Sequence, residues 1–219
     1  MKKAFRIGVM ASGSGTNLGA LAKACADADF PATIGLLLCN RPGAGALTIA
    51  EEFGLPTAVL EQADYDDRKS FDAAAAGELK SAKVDLVVMA GFDRLVTPAM
   101  LDKFPGRIIN IHPAIRPAFR GAEAQAQASE YGVTLAGATV HFVDRDVDHG
   151  PIIVQAAVPV LAGTDAATLR KLVLTEEHRI LPWAVKVLAQ GRVSVDGRVV
   201  KISGASLPSS ALTSPDVDA

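Results

Sequence analysis

The chain has 219 residues, 49% of them apolar and 21% charged, and its 22 basic and 24 acidic side chains leave a formal charge of −2. That composition describes an ordinary globular chain with room for one large domain or two small ones, and charges spread without a basic stripe argue against a polynucleotide partner. Cys25 and Cys39 form no metal-spaced pair, no charged-then-apolar leader opens the chain, and no apolar run approaches the roughly 20 residues a membrane span needs. The expected location is therefore the cytoplasm, with no membrane partner.

Short Val/Ile/Leu-rich runs alternate with longer Ala-rich, charge-dotted segments of helical period, the pattern of βαβ units. The expected class is α/β: a mainly parallel, Rossmann-like twisted sheet with helices on both faces and late antiparallel strands. Phe5 to Ala11 reads as the first strand, and Ser12 to Gly15 as a loop leading into a helix from about Thr16 to Ala28. Thr33 to Cys39 and Thr57 to Leu60 read as strands separated by a helix over Gly45 to Phe53. A helix from about Asp66 to Ser81 precedes the strand Val84 to Ala90. After a short helix start at Thr97-Pro98, Arg107 to Ile111 is the next strand, and it runs into His112-Pro113 and a loop containing Pro117 and Gly121. Val133 to Pro159 reads as two long strands around the acidic turn Asp144 to Gly150. Asp165 to Gln190 is a long helix interrupted near Pro182, and a last hairpin turns at Asp196-Gly197. The expected organisation is one domain over 1–203, with halves 1–104 and 105–203, and a mobile tail over 204–219.

Three constellations can carry chemistry. The loop Ser12 to Leu18 presents glycines and the start of a helix, whose free N–H groups suit a phosphate. Gly13, Gly15 and Gly19 are spaced with one residue too many for a dinucleotide fingerprint, and no Gly-Lys-Ser/Thr makes a Walker loop. Phosphate binding, a dinucleotide site in an oxidoreductase or sensor, and a plain turn all remain open on these residues. In Asn110-Ile111-His112, strand alternation puts Asn110 and His112 on one side; a carboxamide can donate to an oxyanion and an imidazole can exchange protons near neutrality. A histidine before proline can equally cap a turn. The aspartates from Asp144 to Asp148 imitate a calcium loop but fail it at His149 and Gln155. They form either a solvated turn or one in which Asp148 faces His112 and raises its pKa. Glu177-His178 lies mid-helix. No grouping of the four histidines brings three metal ligands together, so no metal is expected.

The loop Ser12 to Leu18, the segment Ala90 to Leu95, the strand end Asn110 to Pro113, the turn Val140 to Pro151 and the late Glu177-His178-Arg179 with Pro182 together resemble the folate-dependent formyltransferase family, in its glycinamide ribonucleotide branch. The resemblance implies 10-formyltetrahydrofolate as co-substrate and a phosphorylated ribosyl-glycinamide as the small-molecule acceptor, in a monomer or homodimer. It assigns catalysis to Asn110, His112 and Asp148, the substrate phosphate and ribonucleotide to Gly15, Thr16, Asn17 and Glu177, and folate contacts to Arg68, Asp93, Arg94, Leu95, Val96 and Asn110. Formyl-folate hydrolases and the methionyl-tRNA enzymes share the Asn, His and Asp, but carry added domains for which this span has no room, and the glycine-rich loop favours the ribonucleotide branch. Two departures stand out. Where that family commonly reads His-Pro-Ser-Leu-Leu-Pro, this chain has Ala114, Ile115 and Arg116, with Arg120 further on, and Asp93 stands where an apolar residue is frequent.

Overall fold

The computed structural model describes residues 4–206 and 212–214, and it forms two compact units, Met1–Asn110 with Phe142–Asp146, and Ile111–His141 with Val147–Ala219. β1 (Phe5–Ala11), β2 (Ala32–Cys39), β3 (Thr57–Val59), β4 (Leu86–Met89) and β5 (Ile108–His112) pair in parallel. The β1, β2 and β4 sequences are nearly continuous apolar runs because a parallel strand covered on both faces has no solvent side to encode. Ile7, Val9, Met10, Leu37, Leu38, Val87 and Val88 are fully buried.

The connecting helices are α1 (Thr16–Cys25), α2 (Gly45–Glu52), α3 (Arg68–Ser81) and the single turn α4 (Pro98–Leu101). α3 begins on a capping box in which Asp67 accepts from the Ser70 N–H and the Ser70 hydroxyl faces the Asp67 N–H, and this satisfies two groups that a helix end otherwise leaves open. Its inner face contributes Phe71, Ala75 and Leu79 to a core shared with Met100, Phe104 and Ile108.

The second unit holds α5 (Ala124–Tyr131), the antiparallel pair β6 (Leu135–Phe142) and β7 (Ile152–Pro159), α6 (Ala166–Ala189) and the hairpin β8 (Val193–Asp196) with β9 (Val199–Ile202). Strand order in the large sheet is β3-β2-β1-β4-β5-β6-β7, the mostly parallel α/β sheet expected, with its antiparallel strand late and the hairpin where Asp196-Gly197 predicted it.

Two expectations need correction. The segment after Gly121 contains α5, whose Ala/Gln-rich sequence offers so weak an apolar stripe that it reads as loop. α6 is not interrupted at Pro182; the ring removes one hydrogen bond, but Ile180, Leu181, Ala184 and Val185 on the same helix are buried, and that packing holds the helix through the missing bond. The expected tail lies largely outside the described residues.

Gly137 is fixed by the close approach of β7: a Cβ there would sit 1.9 Å from the Ala156 carbonyl oxygen. Gly137→Ala should lower stability by roughly 2 kcal/mol or more, read as a reduced urea midpoint; an unchanged midpoint would show that β6 and β7 can part at no cost.

Candidate active site

In the first unit, β1 ends in a loop whose last residue, Gly15, caps α1 with φ of 75°, a conformation that favours glycine. A Cβ at Gly15 would lie 2.5 Å from the Ala46 Cα, at the start of α2, and the Ala46 N–H donates to the Gly13 carbonyl at 3.0 Å. The loop thus rests against the first turn of α2. No side chain caps α1 and no acid stands in its first turn, so the partial positive charge of its N-terminus is not neutralised from within the helix. Thr16 is exposed and Asn17 is buried.

Asp93, expected at folate, is engaged on both oxygens by residues at the ends of β1 and β2. The Ser12 hydroxyl donates to Oδ1 at 2.8 Å and accepts the Asp93 N–H at 3.0 Å, Asn40 Nδ2 donates to Oδ1 at 3.0 Å, and Arg41 pairs with Oδ2. Burial alone would raise this carboxyl, but the bonds from Asn40, Ser12 and Arg41 outweigh it and hold the group below its ordinary range. The adjacent Arg94 behaves differently. Its guanidinium lies 4.4 Å from the Phe71 ring centroid, and its three nitrogens are buried without a hydrogen-bond partner among the described residues. Leu95 is half exposed, Val96 packs on the core, and Arg68 is exposed at the first position of α3. Asn110, half-buried on β5, pairs in register with Met89.

In the second unit, the structure brings His112 and Asp148 together, 3.5 Å from Nδ1 to Oδ2. Asp148 stands at φ of 48° in the turn between β6 and β7 and its Oδ2 accepts the Gly121 N–H at 2.9 Å. Two residues to which no role was given complete the cluster: His141 Nε2 lies 3.6 Å and Arg116 Nη1 3.8 Å from Oδ1. Burial tends to raise the Asp148 carboxyl, yet the His141 side chain, the Gly121 N–H and the charge of His112 hold it well below the usual carboxylate range.

His112 is only 4% exposed. Burial pushes its imidazole below the ordinary value, and the Phe119 carbonyl and the Asp148 charge push back without reversing the direction, while His141 and Arg116 add to the lowering. Asp148 raises this pKa as expected, but the net direction is down, because the desolvation of a buried cation exceeds the attraction of one carboxylate. His112 Nε2 lies 2.7 Å from the Phe119 carbonyl oxygen, which can only accept, so Nε2 carries the hydrogen in this arrangement. Beside this loop, an apolar cavity of about 480 Å³ is lined by Pro113, Ala114, Ala118, Phe119, Tyr131 and Leu169 among others. Glu177 is buried on α6.

The sequence offered only faint signs of the two added members. His141 is in the Val140 to Val143 motif and on a buried strand, whereas Arg116 was visible only as a departure from the family pattern. Among the described residues no group of His, Cys, Asp and Glu is placed to hold a metal ion, and no helix is long and apolar enough to cross a membrane.

Residues 5–185 match the family model described as formyl transferase. The chain is 34% identical to the phosphoribosylglycinamide formyltransferase of Haemophilus influenzae, over 94% of this chain and 97% of that one. It is 41% identical to the human trifunctional purine biosynthetic protein adenosine-3 over 89% of this chain, but it spans only 19% of that protein's length. Among solved structures, glycinamide ribonucleotide transformylase 1 from Symbiobacterium toebii superposes with a TM-score of 0.90 at 48% identity, covering 92% of this chain and 95% of that one.

The cluster predicts the sign of one coupling. Asp148→Asn removes a negative charge that raises the His112 pKa, so the His112 titration followed by imidazole NMR should move further down, by about one pH unit or more. A His112 titration that stays in place or rises would mean that the two side chains are not coupled.

Proposed function

The chain belongs to the formyl transferase family, and from that premise we propose that it transfers a formyl group from 10-formyltetrahydrofolate to the primary amine of 5'-phosphoribosylglycinamide, a step of purine synthesis. The observation that carries the reading is the buried His112–Asp148 pair within the matched span. A neutral imidazole beside an ionised carboxylate is what removal of a proton from an attacking amine requires.

Each residue has a task that its own chemistry suits. The uncapped start of α1, at Gly15, Thr16 and Asn17, receives the substrate phosphate, and Glu177 takes the ribonucleotide end. Arg94 fits the folate co-substrate: a buried guanidinium with five donors and no acceptor among the described residues is matched by a ligand carbonyl or carboxylate. Leu95 and Val96 supply apolar surface beside it, and Arg68 and Asn110 add polar contacts. Asp93, with both oxygens engaged, serves the folate side through its backbone and the phosphate loop through Ser12.

As the amine attacks the formyl carbon, a C–N bond forms and the carbonyl oxygen takes the negative charge; Asn110 donates to that oxyanion. His112 accepts the proton released by the new ammonium nitrogen at Nε2 and delivers it to N10 of the folate as the N10–carbon bond breaks. The Nε2–H tautomer held by the Phe119 carbonyl must first change to Nδ1–H, which Asp148 favours and which leaves Nε2 free to accept; Asp148 also balances the imidazolium that forms. For this to happen Nε2 must exchange the Phe119 carbonyl for substrate. The cavity beside Phe119 gives that segment room to shift. The assembly is a monomer or homodimer working in the cytoplasm.

The direct test is formyl transfer to 5'-phosphoribosylglycinamide by the purified chain. His112→Ala should lower turnover by roughly 10²-fold or more while the fold persists; near-normal turnover in the folded variant removes His112 from the mechanism. Thr16→Glu adds an acid to the first turn of α1, which favours the helix but repels a phosphate. The KM for the ribonucleotide should rise roughly tenfold or more with folate affinity unchanged; an unchanged KM would mean that the phosphate binds elsewhere.

A further inference from the structure

We infer that Arg116 is a positioning residue for this reaction: its buried guanidinium claims part of the Asp148 carboxylate and thereby keeps His112 unprotonated, as a proton acceptor. The kinetic consequence rests on the formyl-transfer reading, but the electrostatic effect on His112 does not.

Arg116 is 4% exposed, and its backbone is fixed on both sides. Its N–H donates to Thr139 Oγ1 at 3.1 Å, that hydroxyl donates to the Ala114 carbonyl at 2.7 Å, and Gln155 Nε2 donates to the Arg116 carbonyl at 3.0 Å. Main chain held in this way, between β6 and β7, sends the side chain inward. Nη1 reaches to 3.3 Å from His141 Nε2 and 3.8 Å from Asp148 Oδ1. A guanidinium has donors only, so His141 Nε2 accepts from it. The same nitrogen cannot also donate to Asp148, and its 3.6 Å separation from Oδ1 is too long for a hydrogen bond. His141 therefore orients the arginine while still lowering the Asp148 carboxyl from 3.6 Å, and the carboxylate also has Arg116 and His112 to balance.

One carboxylate cannot neutralise two cations. Arg116 keeps its charge at every accessible pH, so Arg116 and Asp148 together are neutral and a proton added to His112 leaves a net positive charge in a buried site. The charged and titratable groups acting on His112 are Asp148 from the turn before β7, His141 from β6 and Arg116 from the loop after β5; Thr139 and Gln155 face the same region with neutral groups. Of the three, Arg116 is the one whose charge is permanent and opposes protonation. An enzyme that removes a proton from an amine gains from this, because its base stays free at lower pH.

The experiment compares Arg116→Leu and Arg116→Gln, which remove the charge, with Arg116→Lys, which keeps it. Two readouts are taken on folded protein: the His112 imidazole titration by NMR, and the acid limb of kcat/KM for formyl transfer. In both neutral variants the His112 titration should rise by about one pH unit or more, with the acid limb following it, and in the lysine variant both should stay near wild type. A folded neutral variant in which His112 does not move, or a lysine variant that shifts as far as the neutral ones, overturns the inference, the second because geometry and not charge would then be responsible. If the titration shifts as expected while the wild-type chain transfers no formyl group, the inference stands and the proposed reaction falls.

Discussion

One carboxylate organises the second unit. Asp148 faces His112, His141 and Arg116 within 4 Å and accepts the Gly121 N–H, so the turn between β6 and β7, the end of β5 and the loop after it converge on a single negative charge. To reach that position Asp148 adopts a left-handed backbone at φ of 48°, which costs on the order of 1–2 kcal/mol for a residue with a Cβ. Interactions of the ionised side chain offset that strain, and any change that protonates or removes the carboxylate releases both the strained turn and the groups it collects. The same charge, with the Phe119 carbonyl, opposes the desolvation that lowers the buried His112 imidazole.

The first unit solves a different problem, the presentation of backbone N–H groups. Gly15 is required twice, by its positive φ and by the Ala46 Cα that would lie 2.5 Å from a Cβ. A bulky residue there strains the turn and pushes α2, so its effect on phosphate binding cannot be isolated from its effect on the fold. Thr16, exposed one residue later, reports on the ligand without that penalty. Asp93 links this loop to the end of β2 through Ser12, Asn40 and Arg41, and its carboxylate stays with that network, while the neighbouring Arg94 has no hydrogen-bond acceptor among the described residues.

Much of this was legible in the sequence, for reasons that can be stated residue by residue. Continuous apolar runs such as Leu86–Met89 and the punctuation of Gly13, Gly15 and Asp196-Gly197 announce parallel strands, a tight loop and a hairpin because these are local rules of pattern and backbone. His112 and Asp148 could be paired from the residues only as one of two readings, which the resemblance then favoured, since they lie 36 positions apart and no periodicity connects them. What was missed is what depends on tertiary context. α5 has little apolar stripe, α6 runs through Pro182 because of the side chains that its neighbours bury, and the net direction of the His112 shift weighs burial against charge. Arg116 looked like a surface departure in a loop, and only the convergence of β6, β7 and that loop makes it part of the site.

That Asp148 is held ionised as the common partner of His112, His141 and Arg116 can be followed by carbon-detected NMR of its side-chain carboxyl. An ordinary aspartate titrates at about 3.9 and is nearly half protonated at about pH 4. No protonation shift is expected at Asp148 between pH 7 and about pH 4 in the folded chain. A carboxyl that begins to protonate well above pH 4 would contradict this.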